Sequence, residues 1–156
     1  MGYKRILVPV DGSAPSAKGL QEAVKIGRQS RARLRLLHVV EEYSAFAAPE
    51  VGVNIGPLLD AMKKAGRKTL ARVERAARAR AGRLRLDTVL VEDYGGRVAD
   101  AIVAQARRWR ADLIVIGTHG RRGLQRALVG SDAELVVRYS PVPVLLVPAR
   151  GRRGTR

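Results

Sequence analysis

The chain has 156 residues, with 30 Lys and Arg against 14 Asp and Glu, so its formal net charge is +16. This length fits one domain with a sizeable core, and 46% apolar residues is typical of a globular protein. The lack of cysteine excludes disulfides, thiolate metal sites and cysteine nucleophiles, and two histidines are too few for a histidine-rich metal site. We expect a cytoplasmic protein, because the sequence has neither a signal peptide nor a membrane-spanning stretch.

The first third of the chain predicts a strand, a helix and a second strand. Residues 6–10 form a short apolar run that predicts a buried strand. Ser13 is a candidate cap for a helix that extends to about Arg28, and residues 34–40 return to a strand pattern. Residues 41–57 contain prolines and glycines without a clear period, which predicts a mobile loop.

The rest of the chain continues the alternation. Helices are predicted over 58–81, 96–109 and 131–139, and strands over 86–91, 113–116 and 142–147. Consecutive parallel strands need helical crossovers, and strands buried on both faces lose polar alternation. The sequence therefore predicts an α/β protein with a Rossmann-like, doubly wound, five-stranded parallel sheet and helices on both faces. In such sheets ligands bind outside the carboxyl ends of the strands, where the strand order reverses.

Positive charge is concentrated in two segments. Residues 63–85 hold ten Lys or Arg and a single acid, Glu74, and residues 149–156 add four Arg and no acid. We expect residues 1–148 to form the domain and 149–156 to be a disordered basic tail. A solvated helix face is enough to explain the first segment. Attraction to nucleic acid or to an anionic membrane surface is the alternative that the charge leaves open.

The loop after the fourth strand carries the most specific pattern. Gly117 and Gly120 are separated by two residues, and nine more residues lead to Gly130 and Ser131, where the last helix is predicted to begin. Glycine lets a ligand approach main-chain N–H groups, and the unpaired N–H groups of a first helical turn attract anions. The pattern predicts a phosphate-binding loop, distinct from the dinucleotide fingerprint and from a P-loop. The alternative is that the glycines only permit turns and Ser131 only caps its helix.

The chain resembles the universal stress proteins, specifically the ATP-binding branch whose signature is Gly-x2-Gly-x9-Gly-Ser/Thr. The resemblance includes the segments 6–13, 36–40, 111–120 and 140–147, in the same order along the chain. It implies the fold of the adenine nucleotide alpha hydrolase-like group. It also implies a homodimer in which the final strand, Val142 to Val147, pairs with its twofold copy and covers an open sheet edge.

The resemblance implies which residues would surround the adenosine part of ATP. Pro9 and Val39 match positions that wall the adenine, and Val39 would also contribute through its backbone. Asp11 would approach the adenine and ribose. From the sequence alone, Asp11 is equally well explained as a turn-forming residue, and the other two as ordinary strand residues.

The resemblance also implies how the phosphates would be held. Gly117 and Gly120 would lie against the ribose and phosphates, while Gly130 and Ser131 would bind phosphate through N–H and hydroxyl groups. Asp132 would contribute its backbone. An acid at this position departs from the family, which often has a small or aliphatic residue there, and we expect its carboxylate to face solvent because it would repel phosphate.

Two further side chains of the loop are candidates for phosphate contact. His119 would bind phosphate and Arg121 would screen its charge, although packing within the loop explains His119 equally well. His38 lies inside a predicted strand and is expected to be a hydrogen-bonded core residue. We predict no catalytic residue and no protein metal site, since no carboxylate pair is visible in these loops and Mg²⁺ would accompany ATP through phosphate oxygens.

The function that follows from the resemblance is a nucleotide-dependent stress-response or signalling module that binds ATP with little or no hydrolysis. One alternative is an adenylyl-transferring enzyme of the related α/β group. Such enzymes tend to carry His-x-Gly-His or Ser-Gly-Gly-x-Asp-Ser, and neither is present. Another alternative is a basic nucleic-acid-binding stress protein.

Overall fold

The computed structural model describes residues 2–41, 54–93, 96–118 and 130–148. Five strands alternate with four helices along the chain. In chain order they are β1 (Arg5–Pro9), α1 (Ala14–Ser30), β2 (Arg33–Glu41), α2 (Gly56–Ala81), β3 (Arg85–Asp93), α3 (Val98–Trp109), β4 (Leu113–Thr118), α4 (Ser131–Tyr139) and β5 (Val144–Pro148). Residues 42–53 of the expected mobile loop lie outside the described residues, and so does the whole expected tail, 149–156.

The strands form one parallel sheet in the order β3-β2-β1-β4-β5. One face is covered by α1 and α2, which contribute Leu20, Val24 and Leu70 to a fully apolar cluster. The other face is covered by α3 and α4, with Ile102 and Val136 in a second cluster. The predicted doubly wound α/β fold is therefore confirmed, and the order of strands reverses between β1 and β4.

Several element ends differ from the predicted ones for local reasons. The last strand begins at Val144 rather than at residue 142, because Ser140 and Val142 form a tight turn. In that turn the Ser140 hydroxyl donates to the Val142 carbonyl at 2.7 Å and accepts from the Val142 N–H at 3.2 Å. The third helix begins at Val98 rather than at residue 96, because the Gly96 N–H is held by the Asp93 carboxylate at 3.0 Å.

Arg35 is a charged residue inside the second strand, and the structure explains how it is accommodated. Its Nε donates to the carboxylate of Asp87 at 2.6 Å, from the directly paired position on β3. Its guanidinium carbon lies 4.7 Å from the centre of the Trp109 ring. The Arg33 guanidinium lies 2.6 Å from the same carboxylate, so Asp87 forms ion pairs with two arginines.

The basic helix α2 lies on the outside of the domain. Leu70 and Ala77 face the sheet, whereas Lys64, Lys68 and Arg75 are exposed. The exposed positions agree with the simpler of the two explanations for the charge, a solvated helix face. Over the described ranges, we find no helix with the length and apolar character needed to span a bilayer.

Candidate functional site at the carboxyl ends of the strands

The two central strands, β1 and β4, separate toward their carboxyl ends. Pairing between β1 and β4 covers Ile6 with Leu113 and Leu7 with Ile114 and goes no further. Pro9 has no N–H to donate, and the Val10 N–H instead donates to the Leu37 carbonyl of β2 at 2.8 Å. The first strand therefore stays attached to β2 while β4 continues with β5. The result is a crevice at the point where the strand order reverses, which is where parallel α/β sheets bind ligands.

Asp11 lies at the edge of this crevice in a hydrogen-bonded turn. Its carboxylate accepts a hydrogen bond from the Ser13 N–H at 2.9 Å, and it makes a further polar interaction. The Ser13 hydroxyl in turn accepts from the Ser16 N–H at 3.2 Å and caps α1, as predicted. Gly12 supplies a φ of +78°, which other residues rarely adopt. The carboxylate thus forms part of the turn, and the residue is partly exposed.

Pro9 and Val39 lie on the same face of the sheet. Pro9 pairs in register with Leu37, and register partners in a parallel sheet project to one side. Val39 follows two residues later and packs on the cluster that α3 and α4 cover. Both residues are half-buried at the ends of their strands. The two predicted adenine-contacting residues are therefore placed to line one side of the crevice.

Gly117 lies in β4 where the strand passes the beginning of α1. A Cβ at this position would overlap the Pro15 carbonyl oxygen and would lie 2.5 Å from the Pro15 carbonyl carbon and 3.0 Å from the Ser16 nitrogen. Gly19 makes the reciprocal approach, since its Cβ would be 2.8 Å from the Gly117 nitrogen. The first glycine of the motif is therefore required for contact between a helix and a strand, whatever it does toward a ligand.

The end of the motif coincides with the start of α4. Gly130 precedes the helix with φ −56° and ψ 149°, and its carbonyl accepts from the Glu134 N–H at 3.0 Å. No side chain among the described residues caps this end of the helix. The N–H groups of Ser131 and its neighbours in the first turn therefore face the carboxyl side of the sheet without an intrahelical partner.

Asp132 is the acid whose carboxylate we expected to face solvent, and that orientation stays a prediction. It is half-buried and takes part in a polar interaction. Its position in the first turn places a negative charge where the helix dipole favours one. The exposed Ser131 next to it leaves the hydroxyl accessible.

The remaining loop predictions fall on residues 119–129. His119, Gly120 and Arg121 lie outside the described residues, and their roles stay predictions. His38, by contrast, agrees with its expected structural role. Its Nδ1 lies 2.7 Å from the Val10 carbonyl, so this nitrogen carries the proton and donates. In the part of the chain that the structure describes, no group of His, Asp or Glu could hold a metal ion.

The sequence did not reveal the contribution of Ser16. This buried hydroxyl donates to the Ser13 carbonyl at 3.1 Å and lies 3.4 Å from the Asp11 nitrogen, which donates to it. Ser16 thereby holds the turn that presents Asp11. The sequence feature that could have indicated this role is a second serine in the first turn of a helix that Ser13 already caps, because such serines often hydrogen-bond to nearby backbone.

Comparison with known proteins shows the family of this chain. The sequence model of the Universal stress protein family matches residues 2–148. A universal stress protein from Methanocaldococcus jannaschii is 33% identical over 145 residues, which cover 93% of this chain and 82% of that protein.

Solved structures show the same similarity. A universal stress protein family member from Burkholderia pseudomallei has 32% identity and a TM-score of 0.73, and the match covers 94% of this chain and 96% of that one. A universal stress protein solved in complex with cAMP has 25% identity and a TM-score of 0.68, with 96% of this chain and 100% of that one covered. The chain belongs to the universal stress protein family.

Proposed function

We propose that this protein binds ATP in the crevice between β1 and β4 and acts as a nucleotide-dependent stress-response module. The observation that carries the proposal is the uncapped start of α4, which presents N–H groups on the carboxyl side of the sheet. The similarity to a universal stress protein in complex with cAMP supports a nucleotide as the ligand. The protein's location in the cytoplasm stays a prediction.

Each part of the nucleotide has a counterpart of suitable chemistry. Pro9 and Val39 offer apolar surface to the flat adenine ring, and Asp11 offers a hydrogen-bond acceptor to adenosine hydroxyl or amino groups. Gly130 and Ser131 offer N–H groups, and Ser131 adds a hydroxyl. His119, Gly120, Arg121 and the backbone of Asp132 complete the proposed phosphate contacts. Mg²⁺ would be carried by the phosphates, which needs no protein cage.

The described residues offer binding groups rather than a hydrolytic centre. General-base hydrolysis needs a carboxylate or imidazole that is free to take a proton from water. Asp11 accepts a hydrogen bond from the Ser13 N–H and makes a further polar interaction. His38 lies on the opposite face of the sheet from Val39, beside Gly66 of α2. We therefore propose that ATP turnover is slow or absent. Signalling would follow from the difference between the nucleotide-bound and empty states.

The proposal predicts stabilisation by ATP. At a concentration one hundredfold above the dissociation constant, a ligand that binds only the folded chain stabilises it by about 2.7 kcal/mol. We expect the melting temperature to rise with millimolar ATP and to rise less with AMP or NAD. A thermal-shift series, with mass spectrometry of copurified nucleotide, measures this. A melting temperature that ATP leaves unchanged contradicts the proposal.

Ser131→Asp separates binding at the helix start from stability of the helix. A third carboxylate in the first turn, beside those of Asp132 and Glu134, is favoured by the helix dipole but repelled by its neighbours, so we expect the unfolding free energy to stay level or to rise by up to about 1 kcal/mol. The same charge repels phosphate, so ATP affinity is expected to fall by about tenfold or more. Titration calorimetry and chemical denaturation measure the two effects. Ser131→Ala, which removes only the hydroxyl, is the control and should lose less affinity.

We also propose that the chain forms a homodimer through β5. This strand pairs only with β4 among the described strands, so its other edge carries unpaired backbone groups. The Ile114 N–H of β4 donates to the Pro143 carbonyl, next to β5. Because backbone groups of successive residues point to alternate sides of a strand, the Leu145 N–H points toward β4 and the Val144 N–H points away from it. That N–H is available to a second copy.

Val144→Pro tests the dimer because it removes an outward N–H and leaves the inward ladder intact. We expect light scattering to show a shift from dimer to monomer with little loss of circular-dichroism signal. Leu145→Pro is the contrasting variant, since it removes an inward donor and should destabilise the fold itself. A dimer that persists in folded Val144→Pro protein would place the contact elsewhere.

A further inference from the structure

A groove separates α1 from α2 on the face of the sheet that these two helices share. Its volume is about 140 Å³. It is lined from the first loop and α1 by Gly12, Ser13, Ser16, Ala17, Leu20, Gln21 and Val24, and from α2 by Arg72, Val73, Ala76, Ala77 and Arg80. None of the predicted nucleotide-contacting residues is among them.

The floor of the groove is apolar and its walls are short. Leu20, Val24 and Ala77 are buried beneath it, at 7%, 6% and 2% exposure. Ala17 of α1 and Ala76 of α2 both line the groove and are exposed. The groove exists because alanine on both helices leaves the helix surfaces apart where larger side chains would meet.

Both ends of the groove carry a positive charge. Arg72 reaches the loop after β1, where its Nη2 would be 2.5 Å from a Cβ on Gly12. Arg80 lies eight residues further along α2, roughly 12 Å away along the helix axis. No acid is among the lining residues, and within the described part of the chain neither guanidinium forms an ion pair. The neighbouring Arg78 differs, because it pairs with Glu74 at 2.7 Å.

Two serine hydroxyls line the groove, and both take part in hydrogen bonds within the turn at the start of α1. The Ser13 hydroxyl caps α1 and the Ser16 hydroxyl donates to the Ser13 carbonyl. Neither hydroxyl carries a charge, so the two guanidinium groups supply the charge that a ligand would meet. An apolar surface bordered by unpaired cations attracts a ligand that is apolar along its length and anionic at its end.

We propose that this groove is a second ligand site, which binds a small organic anion with an apolar body the size of about one aromatic ring. An apolar cavity of about 150 Å³ is known to hold benzene, so the volume suits one ring and little more. Arg72 or Arg80 would pair with the carboxylate, and a ring in the groove would also meet a guanidinium at close range. The groove borders the turn that presents Asp11, but no predicted nucleotide-contacting residue lines it, so its binding can be measured without nucleotide.

The probe is 3-phenylpropionate, compared with the neutral 3-phenylpropanol and the cationic 3-phenylpropylamine. Titration calorimetry on the full-length protein should show saturable binding of one carboxylate molecule per chain. The alcohol and the amine should bind at least about tenfold more weakly, which is the loss expected from one charge-assisted hydrogen bond. Backbone NMR shifts should concentrate on α1 and α2.

Ala76→Leu fills the groove from an exposed helix position, and leucine is a good helix former, so the fold should be retained. We expect it to abolish probe binding. Ala79→Leu adds the same side chain on the same helix outside the groove and should leave binding unchanged. The double variant Arg72→Ala/Arg80→Ala should weaken binding of the carboxylate about tenfold, and the two single variants identify which arginine pairs with it. Arg75→Ala, which changes another exposed arginine of α2 outside the lining, should leave binding unchanged.

Unchanged affinity in folded Ala76→Leu protein would overturn the proposal, and so would equal binding of the carboxylate and the alcohol. Absence of saturable binding at millimolar 3-phenylpropionate would also overturn the proposal. Since each readout is taken without nucleotide, failure here leaves the ATP proposal standing, and failure of the ATP experiments leaves this one standing.

Discussion

Gly117→Ala is expected to lower the unfolding free energy by about 3 kcal/mol, at the upper end of the range for overpacking. The added methyl group would occupy the same space as the Pro15 carbonyl oxygen. The atoms in its way belong to the backbone of α1, so no side chain can rotate to relieve the contact. The first turn of α1, which Ser13 caps, would have to move away from β4. Chemical denaturation followed by circular dichroism measures the loss.

Gly130→Ala is the matched control within the same motif. The φ and ψ of Gly130, −56° and 149°, are accessible to every residue. We therefore expect its unfolding free energy to stay within about 1 kcal/mol of the wild-type value. Its ATP affinity should nevertheless fall, because the methyl group would stand where phosphate approaches the start of α4. If both variants were equally stable, the packing role assigned to Gly117 would be wrong.

These two glycines show what spacing alone can and cannot predict. The pattern from Gly117 to Ser131 correctly placed the start of the last helix, because serine is common where helices begin. It did not show that Gly130 occupies the cap position and that the Ser131 side chain makes no capping hydrogen bond. It could not predict that Gly117 is required for packing. The atoms that forbid a side chain there belong to Pro15 and Ser16, about one hundred residues away in sequence, and only the folded sheet brings them together.

The order of elements was predictable because each strand is apolar on both faces. Leu34 and Leu36 project to one side of β2 and Leu37 to the other, and all three are fully buried or nearly so. This pattern is typical of a parallel sheet with two helical layers. The order of the strands in the sheet was not predictable from the same pattern, because apolar residues on both faces do not indicate which strands are neighbours.

The crevice is a consequence of that strand order and of one residue. Pro9 could be recognised as a strand residue without an N–H, but its effect depends on which strand lies beside it. With β4 on one side and β2 on the other, the loss of pairing falls on the β4 side. The sequence could therefore predict the edge of the sheet at which a ligand binds, but not the separation of the two strands.

Arg35 illustrates the other limit of the sequence. Its charge inside an apolar run was visible, but its partners were not, since Asp87 lies 52 residues later and Trp109 lies on the helix that covers this face. The pairing depends on the register of β2 with β3, which places Arg35 directly beside Asp87. Register is a property of the assembled sheet.

Asp87→Ala is expected to lower the unfolding free energy by about 2 to 3 kcal/mol, although the pair is partly exposed. Removing one partner of a desolvated ion pair leaves the other charge without compensation, at a cost of about 3 to 5 kcal/mol when burial is complete. The side chains of Arg35 and Asp87 are 22% and 24% exposed, so we expect a smaller cost. The loss is larger than for a surface pair because Arg33 and Arg35 would then repel each other across the vacated position.

Replacing both partners of the pair distinguishes charge from packing. In Arg35→Leu/Asp87→Val, no unpaired charge remains inside the sheet beside Trp109, and the apolar side chains suit the strand. We expect the double variant to recover most of the stability that Asp87→Ala loses. Glu74→Ala is the surface control, since it removes an exposed pair with Arg78 on α2 and should cost less than about 1 kcal/mol. Denaturant unfolding of all four proteins measures the differences. Equal losses in Asp87→Ala and in the double variant would mean that removing the Arg35 charge restores no stability, and that the uncompensated charge is not what destabilises the sheet.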